Sequence, residues 1–182
     1  MGELLIKEEG LYELNKINLD AKYNSRTLTN LAKEKFKGRT DLVVLEIGVH
    51  AGQNLRDMWR NLNPAVLIGI DCWDIMTDLP DRFILETWYR CHGHPEIIII
   101  KGWSQNVAKI IGLQFDFIYI DGSHFPADVR IDIESWLPKM KKDGIFGGHD
   151  YNMDGVKQVV NELFPNANND GAIQGSDWWI LT

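Results

Sequence analysis

Cysteine, long apolar runs and basic stretches are all scarce in this sequence. Its two cysteines, Cys72 and Cys91, cannot form the disulfide framework of a small secreted domain. The apolar runs are short, as in Ile97–Ile100, whereas a membrane-spanning helix needs about 18 apolar residues in a row. The first nine residues include three glutamates and lack the cationic and apolar pattern of a secretory signal. We therefore expect a reduced, cytoplasmic protein that does not enter a membrane.

The charge of the chain also limits what it binds. Its 182 residues include 26 acidic and 19 basic side chains, for a formal net charge of −7. A negative chain without a basic stretch is disfavoured as a nucleic-acid binder, so we expect a small-molecule substrate. The length fits a single domain covering residues 1–182, with a helical extension at 1–40 and a core at 41–182. The sequence does not distinguish a monomer from a homodimer.

From residue 41 onward, short apolar runs alternate with segments of helical periodicity. Continuous apolar strands that alternate with amphipathic helices indicate a mostly parallel sheet covered on both faces. The expected fold class is therefore α/β, three-layer and doubly wound. Two strand-like pieces in 168–182 predict an antiparallel hairpin at one edge. The expected core strands are Leu42–Ile47, Val66–Ile70, Ile97–Ile100, Phe115–Ile120 and Ile145–Gly148.

A helix is also predicted ahead of this core. Apolar residues recur at helical spacing from Leu28 to Phe36. Asn24 or Ser25 is expected to cap its start, and Gly38 to end it.

Polar residues and glycines follow the first two predicted strands. Glu46, Gly48 and Gly52 surround a strand-to-helix turn, where glycine lets the backbone approach a ligand. The Gly-x-Gly-x-x-Gly pattern of dinucleotide binding is absent, which disfavours an NAD-linked oxidoreductase. Glu46 would repel a pyrophosphate but can accept a hydrogen bond from an ammonium group. Asp71 can accept hydrogen bonds from both hydroxyls of a ribose. An ordinary turn and a capping aspartate are the alternative interpretations.

Five motifs occur in order at the ends of predicted strands: Glu46-x-Gly48-x-x-x-Gly52, Asp71, Gly102-Trp103-Ser104-Gln105, Asp121-Gly122-Ser123-His124 and His149-Asp150. With these motifs the sequence resembles the class I S-adenosylmethionine-dependent methyltransferases. It is most similar to the metal-dependent small-molecule O-methyltransferases of the catechol type and to related sugar O-methyltransferases. The resemblance covers residues 41–164 and implies a Rossmann-like sheet of seven strands. The implied reaction is O-methylation of a small hydroxylated substrate, sugar-like or aromatic.

The resemblance also implies which residues bind S-adenosylmethionine. Glu46 and Gly48 would lie beside its methionine part, and Asp71 would hold the ribose. Ser104 and Gln105 would edge the adenine. His50 stands where glycine is common in the wider superfamily, although the catechol type also carries a bulky residue there. The full implied set is Glu46, Gly48, His50, Gly52, Asp71, Trp103, Ser104, Gln105 and Asp121.

Asp121 and Asp150 end neighbouring predicted strands, and two carboxylates at one rim suit Mg²⁺. Such an ion lowers the pKa of a bound hydroxyl as a Lewis acid. The resemblance places the general base at His124. An acidic or amide residue follows Asp150 in the family, but here Tyr151 does, so Asn152 or water would have to substitute and the need for Mg²⁺ stays open. Asp121-Gly122 is also a common turn dipeptide, and His149 suits a purely structural role.

The sequence also offers weaker alternatives for a metal site, an anion site and the function. The segment Cys91-His92-Gly93-His94, with Cys72, contains metal-ligating side chains without the paired spacing of zinc sites. Lys139, Lys141 and Lys142 form a cationic cluster that suits a helix end or an anion. The alternative function is a non-catalytic accessory protein that binds S-adenosylmethionine with the same fold.

Overall fold

Seven strands form one sheet in the computed structural model, which describes residue 17 and residues 23–74 and 80–182. The strands are β1 (Val43–Ile47), β2 (Val66–Asp71), β3 (Ile97–Lys101), β4 (Phe115–Ile120), β5 (Met140–Gly148), β6 (Asn168–Asn169) and β7 (Trp178–Leu181). Their spatial order is β3-β2-β1-β4-β5-β7-β6. Neighbours among β1–β5 are parallel, and β7 runs antiparallel to both β5 and β6. The predicted seven-stranded sheet with its antiparallel edge hairpin is confirmed.

Helices cover both faces of the sheet, which confirms the three-layer arrangement. Alternating strand residues point to opposite faces, so two separate apolar clusters form. The first three helices pack on one face and the last three on the other. Within the described residues, none of them is long and apolar enough to cross a membrane. The helices are α1 (Thr27–Lys35), α2 (Gln53–Leu62), α3 (Pro80–Cys91), α4 (Ser104–Ala108), α5 (Pro126–Trp136) and α6 (Asp154–Leu163), with a 3₁₀ turn at Leu137–Lys139.

The fifth strand begins earlier than its apolar pattern predicted. It starts at Met140 instead of Ile145, because Met140 already pairs with Phe115 across an irregular register. The charged residues that follow Met140 hid this part of the strand from a hydrophobicity pattern. Backbone hydrogen bonds, rather than burial of side chains, therefore define the first half of β5.

The cap of α1 differs from the prediction. Neither Asn24 nor Ser25 caps the helix: Arg26 is the N-cap residue and makes no side-chain cap bond. The backbone N–H of Leu28 instead donates to Asp177 Oδ2 at 2.8 Å, from a residue 149 positions away. The hydroxyl of Ser25 donates to Asp57 Oδ1 at 3.0 Å. The prediction was wrong because a distant carboxylate satisfies the helix end that a local cap would otherwise serve.

The strand order reverses between β1 and β4, and this reversal locates the ligand crevice. In open α/β sheets, ligands bind outside the carboxyl ends of the strands at such a switch point. The backbone is unusual there: His50, Trp73 and Asp150 have φ values of 51°, 46° and 56°, each just after a strand. Positive φ is uncommon for residues other than glycine and concentrates at functional sites.

Candidate active site

Gly48 and Gly52 shape the turn after β1. Gly48 has φ +85°, and a Cβ there would lie 2.0 Å from the backbone oxygen of Asp121. Gly52 has φ +78°, and a Cβ there would lie 2.9 Å from Thr87 Cα. Both glycines are therefore required because protein backbone approaches them closely. Their predicted contact with a ligand stays a prediction.

Glu46, near the end of β1, is a buried carboxylate with one partner. It is 1% exposed, and its Oε1 accepts a hydrogen bond from Asn54 Nδ2 at 2.9 Å. Its Oε2 is buried and has no partner among the described residues. Burial, followed by the nearby charge of Asp121, raises the pKa of Glu46 to about 8. An unpartnered buried oxygen is costly, so this position favours a ligand that brings an N–H donor.

Asp71 joins the end of β2 to the turn after β1. Its Oδ2 accepts a hydrogen bond from the backbone N–H of His50 at 2.7 Å, and its Oδ1 accepts one from that of Trp73 at 2.8 Å. Each carboxylate oxygen keeps a second lone pair, so both remain able to accept from ribose hydroxyls. The positive φ of His50 gives a physical reason for the glycine common at this position. Its imidazole ring packs on Phe83 of α3 with centroids 4.0 Å apart.

The predicted adenine-binding residues lie where β3 leads into α4. The hydroxyl of Ser104 donates to Asp132 of α5, so it is engaged inside the protein. Burial raises the pKa of Asp132 to about 6, although the Ser104 hydroxyl opposes the shift. Trp103 is 44% exposed and Gln105 is half-buried. Trp103 and Gln105 remain available to a ligand, and their contact with adenine stays a prediction.

Asp121, His124 and Asp150 meet at the ends of β4 and β5. His124 Nε2 lies 2.8 Å from Asp150 Oδ2, and one ligand-type atom from each of the three residues falls within 4.8 Å of the others. The convergence expected from the strand order is therefore present. Within the described residues this is the one group of histidine, cysteine and acidic side chains that could hold a metal ion. The structure does not gather Cys72, Cys91, His92 and His94 into such a group.

His149 belongs to the same cluster. Its Nδ1 lies 3.1 Å from Asp150 Oδ1 and 3.6 Å from Asp121 Oδ1. Burial alone would lower the pKa of His149, but its interactions with the carboxylates of Asp121 and Asp150 outweigh burial and raise the pKa to about 9. The hydrogen bond from His149 also holds the pKa of Asp150 below its ordinary value. His149 is thus partnered within the fold, as the structural alternative supposed, and lies at the centre of the site.

Arg26, Tyr119 and Asp177 also reach the site, although they were not among the residues predicted from the sequence. Arg26 Nη2 lies 3.1 Å from Asp121 Oδ2, and its Nη1 donates to Tyr119 Oη at 3.1 Å. The Tyr119 hydroxyl donates in turn to Asp177 Oδ1 at 2.7 Å. No local pattern marks these residues, because their partners lie far away along the chain. Arg26 also precedes the part of the sequence that carries the family resemblance.

Two groups of candidate residues serve the fold instead of a ligand. Burial raises the pKa of the Cys91 thiol to about 12, which makes it unreactive. Lys139 donates to the carbonyl of Ile111 at 2.7 Å, and Lys141 pairs with Asp116 at 2.8 Å. The structure therefore gives structural roles to Cys91, Lys139 and Lys141.

The described residues fit a magnesium ion poorly. Mg²⁺ prefers oxygen ligands in octahedral geometry, whereas this cluster offers two carboxylates and an imidazole. Arg26 and His149 already lie beside those carboxylates. The Tyr151 hydroxyl donates to Asn161 Oδ1 at 2.7 Å, and Asn152 Oδ1 accepts the backbone N–H of Ser176 at 3.2 Å. Each of these side chains is therefore already oriented by a hydrogen bond away from the two carboxylates, and an ion would have to share or break that bond to use it as a ligand.

The sheet order and the polar residues at the carboxyl ends of the strands, here called the polar rim (Glu46, Asp71, Asp121 and Asp150), define a protein of the class I methyltransferase type. A family model described as a methyltransferase domain matches residues 45–151, more than half of the chain. The chain belongs to this methyltransferase family, and the predicted membership is confirmed. The match contains all five motifs, from Glu46 to Asp150, whereas Arg26 and Asp177 lie outside it. No curated protein matches the chain.

Solved structures show the same fold at low sequence identity. An O-methyltransferase from Bacillus cereus in complex with SAH has a TM-score of 0.64 and 15% identity, covering 99% of this chain and 94% of that one. The O-methyltransferase TomG from Streptomyces achromogenes, involved in tomaymycin synthesis and in complex with SAM, has a TM-score of 0.65 and 16% identity, with coverages of 98% and 92%. An rRNA methylase from Streptococcus thermophilus has a TM-score of 0.65 and 12% identity, with coverages of 87% and 96%. These likenesses establish the fold.

Proposed function

We propose that this methyltransferase uses S-adenosylmethionine to O-methylate a small hydroxylated acceptor. The observation that carries the proposal is the pair formed by His124 Nε2 and Asp150 Oδ2, 2.8 Å apart. It lies at the carboxyl ends of neighbouring strands, where α/β folds of this type bind ligands. A histidine held by a carboxylate is suited to remove a proton from a hydroxyl group. The SAM and SAH complexes of two structural neighbours support the choice of cofactor.

The rim after β1 and β2 fits the cofactor. The unpartnered Glu46 Oε2 suits the ammonium of its methionine part, because the ammonium would donate a hydrogen bond to a buried oxygen that otherwise has none. The Asp71 carboxylate has lone pairs left for ribose hydroxyls. Trp103 and Gln105 stand at the next strand end for the adenine. Bound here, S-adenosylmethionine would supply a methyl group on a sulfonium, whose C–S electron pair stays with sulfur as the new C–O bond forms.

His124 and Asp150 supply the proton chemistry. Because a carboxylate only accepts hydrogen bonds, Asp150 fixes the imidazole tautomer with its proton on Nε2. Nδ1 of His124 then carries the lone pair that takes the hydroxyl proton of the acceptor. The resulting imidazolium is stabilised by the Asp150 carboxylate. Such a base contributes about 10²–10⁴ in rate. The proposed transfer needs no metal ion, because both carboxylates are already paired with nitrogen groups of the protein.

The acceptor we propose is a ring compound, sugar-like or aromatic, in a cytoplasmic setting. Phe125 follows His124 directly and is 75% exposed, so an apolar ring face is available beside the base. Aromatic side chains pack well on flat rings. The net charge of −7 argues against a nucleic-acid acceptor. The proposed base at His124 argues against a non-catalytic accessory protein.

Formation of S-adenosylhomocysteine tests this proposal. The full chain is incubated with S-adenosylmethionine and a panel of phenols, catechols and sugars, and S-adenosylhomocysteine is measured by mass spectrometry. We expect release that depends on one class of acceptor and on His124. Cofactor binding without any acceptor-dependent release, across the whole panel, would instead favour the accessory protein.

A further inference from the structure

Arg26 holds an unusually constrained position beside the carboxylate that ends β4. Its Nη2 lies 3.1 Å from Asp121 Oδ2, with both side chains about four-fifths buried at 21% and 18% exposure. Its Nη1 donates to the buried hydroxyl of Tyr119 at 3.1 Å, and its Nε donates to the hydroxyl of Tyr23 at 3.2 Å. All three nitrogens of the guanidinium are thus fixed, each by a different group.

The anchoring of Arg26 comes from two distant parts of the chain. Asp177 accepts the hydroxyl proton of Tyr119 at 2.7 Å and the backbone N–H of Leu28 at 2.8 Å. The same carboxylate therefore fixes the tyrosine that holds the guanidinium and the helix turn that follows Arg26. This arrangement positions a permanent positive charge at Asp121, because arginine does not lose its proton in proteins.

We infer that the Arg26 guanidinium occupies the place of a divalent cation at Asp121, so that methyl transfer in this chain is metal-independent. This inference rests on the proposed function. Mg²⁺ binds a carboxylate oxygen at about 2.1 Å, so an ion on Asp121 Oδ2 would lie within about 5 Å of Arg26 Nη2. Two cations at that distance repel each other strongly in a mostly buried site. The side chains of Tyr151 and Asn152, which could have completed a metal shell, are hydrogen-bonded elsewhere.

The guanidinium keeps donors for the reaction. Arginine carries five N–H groups in a planar fork, and the three contacts to Tyr23, Tyr119 and Asp121 use one each. Two N–H groups therefore remain, among the contacts of the described residues, to hold the acceptor oxygen as His124 removes its proton. A cation that binds this oxygen favours the ionised form, as a metal ion does. Arg26 thus combines charge compensation with positioning of the acceptor.

Binding of Mn²⁺, a paramagnetic substitute for Mg²⁺, tests this inference without an acceptor. Mn²⁺ is titrated into the full-length wild type, Arg26→Gln and Arg39→Gln, and free ion is measured by electron paramagnetic resonance. We expect Arg26→Gln to bind Mn²⁺ at least about tenfold more tightly than the wild type, because removal of the guanidinium exposes Asp121 to the ion. Arg39→Gln is the matched control, since Arg39 pairs with Asp41 and Asp116 at the other end of the sheet. Adding Asp121→Asn to Arg26→Gln should abolish the gain.

Two outcomes would overturn the inference. One is a wild type that binds Mn²⁺ as tightly as Arg26→Gln and loses that binding with Asp121→Asn. The other is the absence of any gain in Arg26→Gln, because the guanidinium would then not be what excludes the ion. Thermal melting of each variant verifies folding, and Arg26→Lys, which keeps the charge, should match the wild type. Calorimetric titration of the same samples with S-adenosylmethionine tests the proposed function separately, since cofactor binding and Mn²⁺ binding can each fail alone.

Discussion

Glu46 and Asp116 are two buried carboxylates at opposite ends of the sheet, and their surroundings differ sharply. Asp116, near the start of β4, is 3% exposed and accepts hydrogen bonds from the Val43 backbone N–H and Lys141. It also pairs with Arg39 at 2.9 Å. Glu46, near the end of β1, is 1% exposed, and one of its oxygens has no partner among the described residues.

The two carboxylates consequently have opposite pKa shifts. Burial raises the pKa of Asp116, but its cationic and backbone partners outweigh burial and lower it overall. Burial dominates at Glu46 and raises its pKa to about 8. A buried carboxylate with all its partners stabilises the fold, whereas one with a free oxygen is held ready for a ligand. We therefore propose that the amino ends of the strands serve stability and that the carboxyl ends serve binding and chemistry.

Removing the proposed base should have the largest effect. We expect His124→Ala to lower turnover by about 10²–10⁴, because the acceptor hydroxyl then loses its proton acceptor. Affinity for S-adenosylmethionine and thermal stability should stay close to those of the wild type. Steady-state assays and calorimetry measure the two quantities. His92→Ala, an exposed histidine bonded to the Tyr89 carbonyl, is the matched control and should keep full activity. Equal loss of turnover and cofactor binding in His124→Ala would make His124 a structural residue.

The pH dependence of stability separates Glu46 from Asp116. Between pH 4.5 and about 8, folded Glu46 keeps a proton that the unfolded chain has released, so the free energy of unfolding falls as pH rises. This loss is on the order of a few kcal/mol, since each pKa unit corresponds to about 1.4 kcal/mol. Glu46→Gln should remove it. Urea unfolding at pH 5, 6.5 and 8 measures the difference between the two proteins. Parallel pH profiles for the wild type and Glu46→Gln would show that Glu46 is ionised in the folded protein.

Asp116→Asn should change stability and leave cofactor binding unchanged. The contribution of Asp116 to stability should also depend on pH in the opposite direction to that of Glu46. We expect a loss of about 1.5–3 kcal/mol at pH 7, because hydrogen bonds to a charged acceptor disappear. The lowered pKa means that Asp116 stabilises the protein above its ordinary value of 3.8, and that this contribution is lost as pH falls through its lower folded pKa. Acid unfolding monitored by circular dichroism should therefore become less steep in Asp116→Asn. Weakened S-adenosylmethionine binding in the folded variant would contradict the division between the two ends.

Asp177→Asn tests whether hydrogen bonding or position decides the role of a carboxylate. Asp177 lies on the binding side of the sheet, yet both its oxygens are partnered, by Leu28 and Tyr119. We expect a stability loss of about 1–2 kcal/mol, measured by urea unfolding, because the single amide oxygen of asparagine cannot replace both carboxylate oxygens as acceptor for Leu28 and Tyr119. Cofactor affinity should change less than it does in Glu46→Gln. If Asp177→Asn weakened cofactor binding more than Glu46→Gln does, the position of the carboxylate in the sheet would be the deciding factor.

The parallel core and the polar rim could be predicted because they are local patterns in the sequence. The continuous apolar runs that became β1–β5 are unambiguous, and parallel strands place their carboxyl ends together. Asp121 and Asp150 were therefore expected to meet, and they do so together with His124. The family resemblance placed the general base at His124 and added the roles proposed for these positions.

The partners of the rim could not be predicted because they depend on distant contacts. Arg26 meets Tyr119 across 93 residues, and Leu28 meets Asp177 across 149. Periodicity contains no information about such pairs. The cap of α1 was missed for the same reason, and the early start of β5 because charged residues follow Met140. The glycines were assigned to ligand approach, whereas Gly48 is dictated by the carbonyl of Asp121.

Calorimetric titration with S-adenosylmethionine at pH 7, in two buffers of different ionisation enthalpy, tests the central claim most directly. If the free oxygen of Glu46 receives the ammonium of the cofactor, binding converts a protonated carboxyl into a carboxylate and releases a proton. We predict one-to-one binding with net proton release in the wild type, and binding about 10- to 100-fold weaker without that release in Glu46→Gln. No heat at millimolar cofactor, or equal proton release in both proteins, would contradict the account.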